Sequence, residues 1–136
     1  MDRPTVIQID RALDEPAYEQ VARQVRDAIA TGALKPRELL PGVRGLASDL
    51  GVNLNTIARA YRVLEQQGFV QIRDRSGVEV AEPPRRAPAD ASATLCDELW
   101  HVLLRMRQAG MPPTGIKREV DRQLDRLLTR QGESER

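Results

Sequence analysis

Leu54, Asn55, Thr56 and Arg59 stand together at the head of one predicted helix, and they carry the clearest chemistry in this 136-residue chain. An asparagine amide can bond an adenine edge twice, an arginine can do the same to guanine, and a threonine hydroxyl can bond a phosphate. A helix N-terminus adds backbone donors for a phosphate. Asn53, just before, is a strong N-cap; that structural duty comes first, and base contact would be additional. Downstream, Arg73-Asp74-Arg75-Ser76-Gly77 has turn chemistry. Exposed charge is common in hairpins, so Arg73 and Arg75 are balanced between DNA contact and plain solvation. No Ser/His/Asp, Cys/His or paired-carboxylate arrangement accompanies a Gly-rich loop. The single Cys96 excludes an internal disulfide and a multi-Cys zinc site, and the lone His101 reads as structural or surface. No enzyme, metal or cofactor is expected.

The elements that must position these residues follow from periodicity. Thr5 to Ile9 is β-branched and reads as an edge strand. Asp14, Glu15 and Pro16 open a helix whose apolar face is Tyr18, Val21, Ala22, Val25, Ala28 and Ile29, with Gly32 as its stop. Leu34 to Pro41 reads as a loop. Val43 to Leu50 is a short helix, Gly51-Val52-Asn53 a tight turn, and a second helix runs to about Gln67. Ala47 supplies the small side chain for a close crossing, and Gly51 can take a left-handed turn. Ile57, Ala60, Tyr61 and Leu64 mark the buried face. Phe69–Ile72 and Val78–Ala81 read as a hairpin. Together these make a winged helix-turn-helix, whose second helix presents its N-terminal end to the major groove.

A composition shift divides the chain. Residues 1–81 form the winged unit, 82–94 a proline-containing linker, and 95–136 a helical region. Thr94 and Asp97 could start its first helix. Leu95, Leu99, Val102, Leu103 and Met106 line that helix, and Ile116, Val120, Leu124, Leu127 and Leu128 line a second over 113–131. A short loop predicts antiparallel packing. The expected fold is therefore mainly α with a small β-wing: an N-terminal winged helix-turn-helix and a C-terminal antiparallel helix pair. Such a pair exposes apolar surface unless a second pair covers it. The expected dimer interface comprises Leu95, Leu99, Leu103, Met106, Ile116, Val120, Leu124 and Leu127. Trp100 joins it, or else the core. Arg118, Arg122, Arg126 and Arg130 form a four-spaced stripe that Asp121 and Asp125 can pair with.

Charge alone does not argue for nucleic acid. The chain carries 21 Lys+Arg against 20 Asp+Glu, a net +1. Residues 1–82 hold eleven basic and twelve acidic side chains. Since DNA affinity rests largely on phosphate neutralisation, the arginines must cluster on one face with the acids elsewhere. No apolar run is long enough to span a bilayer and no secretory signal is visible, which points to the cytoplasm.

Several motifs in order resemble the GntR family of bacterial transcription regulators: Glu15-Pro16-Ala17-Tyr18-Glu19-Gln20-Val21, Gly32-Ala33-Leu34-Lys35-Pro36, Leu40-Pro41-Gly42-Val43-Arg44-Gly45-Leu46-Ala47, and Gly51 through Tyr61. The resemblance covers roughly residues 14–81. Asn53-x-Asn55-Thr56 followed by Ala58-Arg59-Ala60-Tyr61 looks most like the YtrA-type branch, which carries a short C-terminal helix pair. The resemblance implies a base or phosphate contact for Arg44, a polar contact cluster at Asn53, Asn55 and Thr56, and a phosphate or base for Arg59. It also implies a homodimeric repressor on a palindromic double-stranded operator, controlling a transporter operon. Two departures stand out: Leu54 replaces a common arginine, and the wing lacks a first glycine and carries Glu79. These and the near-neutral charge leave open a winged-helix adaptor that binds protein and no DNA. No effector is legible; the little room inside a helix pair directs any ligand to a site between subunits or beside the linker.

Overall fold

The structure, a computed structural model, describes residues 7–73, 77–84 and 86–134, with side chains as far as residue 128. Among them are five helices and one three-stranded antiparallel sheet, so the fold is mainly α. The chain divides after Pro83 into two units.

In the first unit, α1 (Ala17–Ala30) starts after Pro16, whose ring fixes a φ suited to a helix start, and stops at Thr31 and Gly32. Val21, Ala22, Val25 and Ala28 recur at helical spacing and are buried. Gln20 lies among them, with its amide fully engaged. It accepts the Asp10 N–H at 2.8 Å and donates to the carbonyls of Asp10 and Glu15. Gln24 likewise accepts the Gln8 N–H and donates to the Gln8 carbonyl at 2.7 Å. These amides explain a correction. Of the edge strand expected over residues 5–9, Thr5 and Val6 lie outside the described residues, and Ile7–Ile9 form no strand. Glutamine side chains take the backbone groups that a neighbouring strand would have taken.

Helix α2 (Val43–Leu50) and helix α3 (Leu54–Gln66) are joined through Gly51. Gly51 sits at φ 66, ψ 34, the left-handed region. Its N–H donates to the Ser48 carbonyl, and the Val52 N–H donates to Ala47 at 3.1 Å. This paired closure satisfies carbonyls that the end of α2 leaves open. Leu46 and Ala47 turn inward toward Ile57, Ala60, Tyr61 and Leu64. Burying a side chain such as Ile57 or Leu64 stabilises the unit by ~1.5–3 kcal/mol.

The expected loop over 34–41 contains a strand, β1 (Leu39–Leu40), pairing antiparallel with β3 (Gly77–Val80); β3 also pairs with β2 (Val70–Arg73). The strand order is β1-β3-β2. Two residues between Pro36 and Pro41 are too few to show alternation, which hid β1 from the sequence. Val70, Val78 and Val80 close the core from the sheet side.

The second unit is α4 (Ala89–Gln108) and α5 (Pro113–Ser134). The linker expected over 82–94 is shorter, because α4 begins five residues after Pro84. Ala89, Ala91 and Ala93 are strong helix formers, and Asp90 suits the positive first turn. Thr94 is therefore no cap with Asp97; its hydroxyl donates back to the Asp90 carbonyl inside the helix. Packing between α4 and α5 is confined to their turn-proximal ends, where Ile116 is buried and Leu103, Met106 and Val120 are half-buried. The short loop between them gives the helix pair expected for this region. No helix among the described residues is long and apolar enough to cross a membrane.

Candidate nucleic-acid interface

Asn53 caps α3 from an extended backbone, its Oδ1 accepting the Asn55 N–H at 2.8 Å. The Thr56 N–H donates to the Asn53 carbonyl. The start of α3 is thereby closed with Asn55 exposed, Thr56 half-buried and Leu54 exposed. Asn53 has the structural role its type predicts, and its side-chain oxygen is already spent on it.

Burial divides α3 into two faces. Ile57, Ala60, Tyr61 and Leu64 point into the core. Asn55, Arg59, Arg62 and Gln66, at spacings of four, three and four, lie opposite and are exposed. Arg62 was not singled out from the sequence, although its position seven residues after Asn55 was the available signal. The only acid on α3, Glu65, is turned away from this face: its carboxylate accepts the Ile72 N–H at 2.7 Å and ties the helix to β2. Two acids at the start of α1 are also engaged. Glu15 binds Arg23 at 3.0 Å and Glu19 binds Arg26 at 2.9 Å. Hydrogen bonding to Glu15 holds the Arg23 proton more firmly than usual. Among the described residues no carboxylate pairs with Arg44, Arg59 or Arg62. The clustering that a near-neutral chain requires is thus present locally on α3.

Arg44 is the second residue of α2 and is exposed. Two contacts hold the supports of this region. The buried Tyr61 hydroxyl donates to the Pro41 carbonyl at 2.6 Å, tying α3 to the chain entering α2. Arg11 donates to the Gly51 carbonyl at 3.1 Å, bracing the turn from outside. Burial pushes the Tyr61 pKa up to about 12. Arg59 lies over the Tyr18 ring, its guanidinium carbon 3.9 Å from the centroid.

The wing is differently arranged. Arg73 pairs with Glu79 at 2.8 Å, so its charge is offset within the sheet. Arg75 lies outside the described residues. In the second unit, Leu95, Leu99, Trp100, Leu124 and Leu127 are exposed, with Trp100 57% exposed, so within this chain it is not core. The side chain of Arg130 lies outside the described residues, and the described arginines of the α5 stripe pair differently from expectation. Arg122 bonds Glu119, Asp121 bonds Lys117 at 2.9 Å, and Arg126 bonds Gln123.

Residues 17–80 match the family described as bacterial regulatory proteins, gntR family. The chain is 42% identical over 86 residues to the HTH-type transcriptional regulator Rv1152 of Mycobacterium tuberculosis, covering 63% of this chain and 69% of that one. It is 31% identical over 107 residues to the HTH-type transcriptional repressor YtrA of Bacillus subtilis, covering 78% and 82%. The solved structure of YtrA from Sulfolobus acidocaldarius, a GntR-family transcription factor, superimposes with a TM-score of 0.60 at 33% identity over 88% of this chain and 97% of that one. The DNA-binding domain of AraR, solved in complex with operator ORX1, superimposes with a TM-score of 0.51 at 26% identity, covering 58% of this chain and 99% of that one. With the winged helix-turn-helix in place and likeness extending through the C-terminal helices, consistent with the YtrA-type branch, this chain belongs to the GntR family of bacterial transcription regulators.

Proposed function

We propose that this chain is a cytoplasmic transcriptional repressor that binds a palindromic operator as a homodimer, with no catalytic activity of its own. The observation that carries the reading is the exposed, acid-free face of α3, where Asn55, Arg59 and Arg62 stand behind a capped N-terminus. That end enters the major groove, Asn55 reads a base edge, and Thr56, Arg44 and the arginines of α3 contact phosphates or bases. Arg75 is assigned to the wing contact on charge alone. Residues 1–81 do the binding and the helices after the linker hold two copies together. The exposed Leu95, Leu99, Trp100, Leu124 and Leu127 support this, because apolar surface of that extent is left for a partner. The half-buried Leu103, Met106 and Val120 extend the same interface toward the turn, while Ile116, expected in it from the sequence, is buried within the chain and supports it from beneath. Two-fold symmetry in the protein then calls for two-fold symmetry in the DNA. The repressor sense follows the name of the Bacillus subtilis relative, and control of a transporter operon follows the family resemblance. The place for a small-molecule effector is between subunits or beside the linker.

The Arg73–Glu79 pair favours a second reading, a protein-binding adaptor whose wing never meets DNA. A gel shift with DNA from upstream of the chain's own gene separates the two. Saturable binding, competed by that fragment but not by random DNA, supports the repressor; no binding supports the adaptor. Arg44→Ala should weaken specific binding by about 1–3 kcal/mol if it reads a base. Sedimentation showing a monomer at micromolar concentration would remove the homodimer.

A further inference from the structure

We infer that Tyr18 is a positioning residue for DNA binding, holding the Arg59 guanidinium against its ring so that the edge of the group is presented to a phosphate. The inference rests on the DNA-binding reading and adds a residue from a different helix to it. Tyr18 lies on the first turn of α1 and is half-buried, so its ring is fixed by the packing of α1 against α3. Arg59 lies on the exposed face of α3 one turn beyond Asn55. The guanidinium carbon stands over the ring, 3.9 Å from its centroid, a cation–π contact. A ring face attracts the charge without occupying the N–H donors as an oxygen would, so they remain for a phosphate. Among the described residues no carboxylate or amide takes those donors. A free arginine in this position would have to order a long side chain on binding; this one is ordered beforehand.

The test uses the full chain and a labelled 30-base-pair mixed-sequence duplex at low salt, where phosphate contacts dominate. Arg59→Ala should reduce the salt slope of log affinity by about one per protomer. Tyr18→Leu should weaken binding about two- to five-fold, as loss of an exposed cation–π contact allows. Tyr18→Phe, which keeps the ring, should bind as wild type. In the Arg59→Ala background, Tyr18→Leu should have no further effect. Should Tyr18→Leu fail to fold, Tyr18→Gln in the same cycle and the ring-current shift of the Arg59 δ protons, present in the wild type and in Tyr18→Phe, carry the test. Unchanged binding by Tyr18→Leu, losses that add in the double variant, or an equal loss in Tyr18→Phe would each overturn the inference while leaving DNA binding intact. A wild-type chain with no affinity for the duplex would overturn both.

Discussion

Replacing Tyr61 with phenylalanine tests how α3 is tied to the rest of the first unit. The Tyr61 hydroxyl donates to the Pro41 carbonyl at 2.6 Å, one residue before the Gly42 cap of α2. Removing it deletes one hydrogen bond and keeps the ring, which costs ~0.5–1.5 kcal/mol at neutral pH. The pH dependence then runs the other way. Burial raises the Tyr61 pKa from 10.0 to about 12 in the fold. A raised folded pKa means that the native chain holds the proton after the unfolded chain has lost it. The stabilisation is complete below pH 10 and drains away as pH climbs toward 12. With those two values, linkage removes about 1.4 kcal/mol from the wild type by pH 11 and about 2.3 by pH 12.

Tyr61→Phe has no such loss. It should therefore be the less stable protein at pH 8 and match or exceed the wild type near pH 11. Urea unfolding at fixed protein concentration, followed at pH 8, 9.5, 10.5 and 11.5, measures the difference between the two chains. Other titrating groups are common to both and cancel. Curves that stay parallel through pH 11.5 would refute the reasoning. They would mean that the hydroxyl is hydrated and that the bond to Pro41 does not hold the entry to α2.

The turn and its cap yield two more predictions. Gly51→Ala should destabilise by about 1–2 kcal/mol through its left-handed backbone. The added Cβ would meet only Arg11 Nη2 at 3.8 Å, so Gly51→Asn, which tolerates that conformation, should cost less in the same urea assay. Asn53→Ala should lower stability by ~1 kcal/mol and Asn53→Ser by far less, read as unfolding midpoints; equal losses would argue against the cap. On the wing, Glu79→Gln should release Arg73 and strengthen binding to duplex DNA by about two- to five-fold, read by fluorescence anisotropy. Unchanged affinity would place the wing away from phosphate.

The helix-turn-helix was legible because its signals are local. Gly51 is needed by one backbone conformation, Asn53 by one orphan N–H group, and Ile57, Ala60, Tyr61 and Leu64 by one face of one helix. Each can be read without knowing what lies across from it. The details that failed are decided across the fold. Gln20 and Gln24 look like ordinary polar positions on α1, yet they hold the chain before it by taking the backbone groups that a strand would have paired. The partner of Glu65 is equally invisible from its own helix, because its carboxylate accepts an N–H from the β2 backbone. Similarly, Ala89–Thr94 reads as linker beside three prolines, but once Pro88 has set the entry the alanines continue as helix.

The same distinction explains the electrostatics. A net charge of +1 says little about DNA, because the sum counts acids that the fold has already assigned. Glu15 and Glu19 are bound by Arg23 and Arg26 on α1, and Glu65 is spent on a backbone amide. What remains on the outer face of α3 is two amides, Asn55 and Gln66, and two guanidinium groups, one of them set in place by an aromatic ring from another helix. Phosphate affinity depends on the charge within about a Debye length, roughly 8–10 Å at ordinary salt. A near-neutral chain can therefore present a basic reading face, provided that each nearby carboxylate has a partner. The wing is where that condition inverts: Glu79 faces Arg73 directly, so the sheet keeps for itself the charge that the helix offers outward.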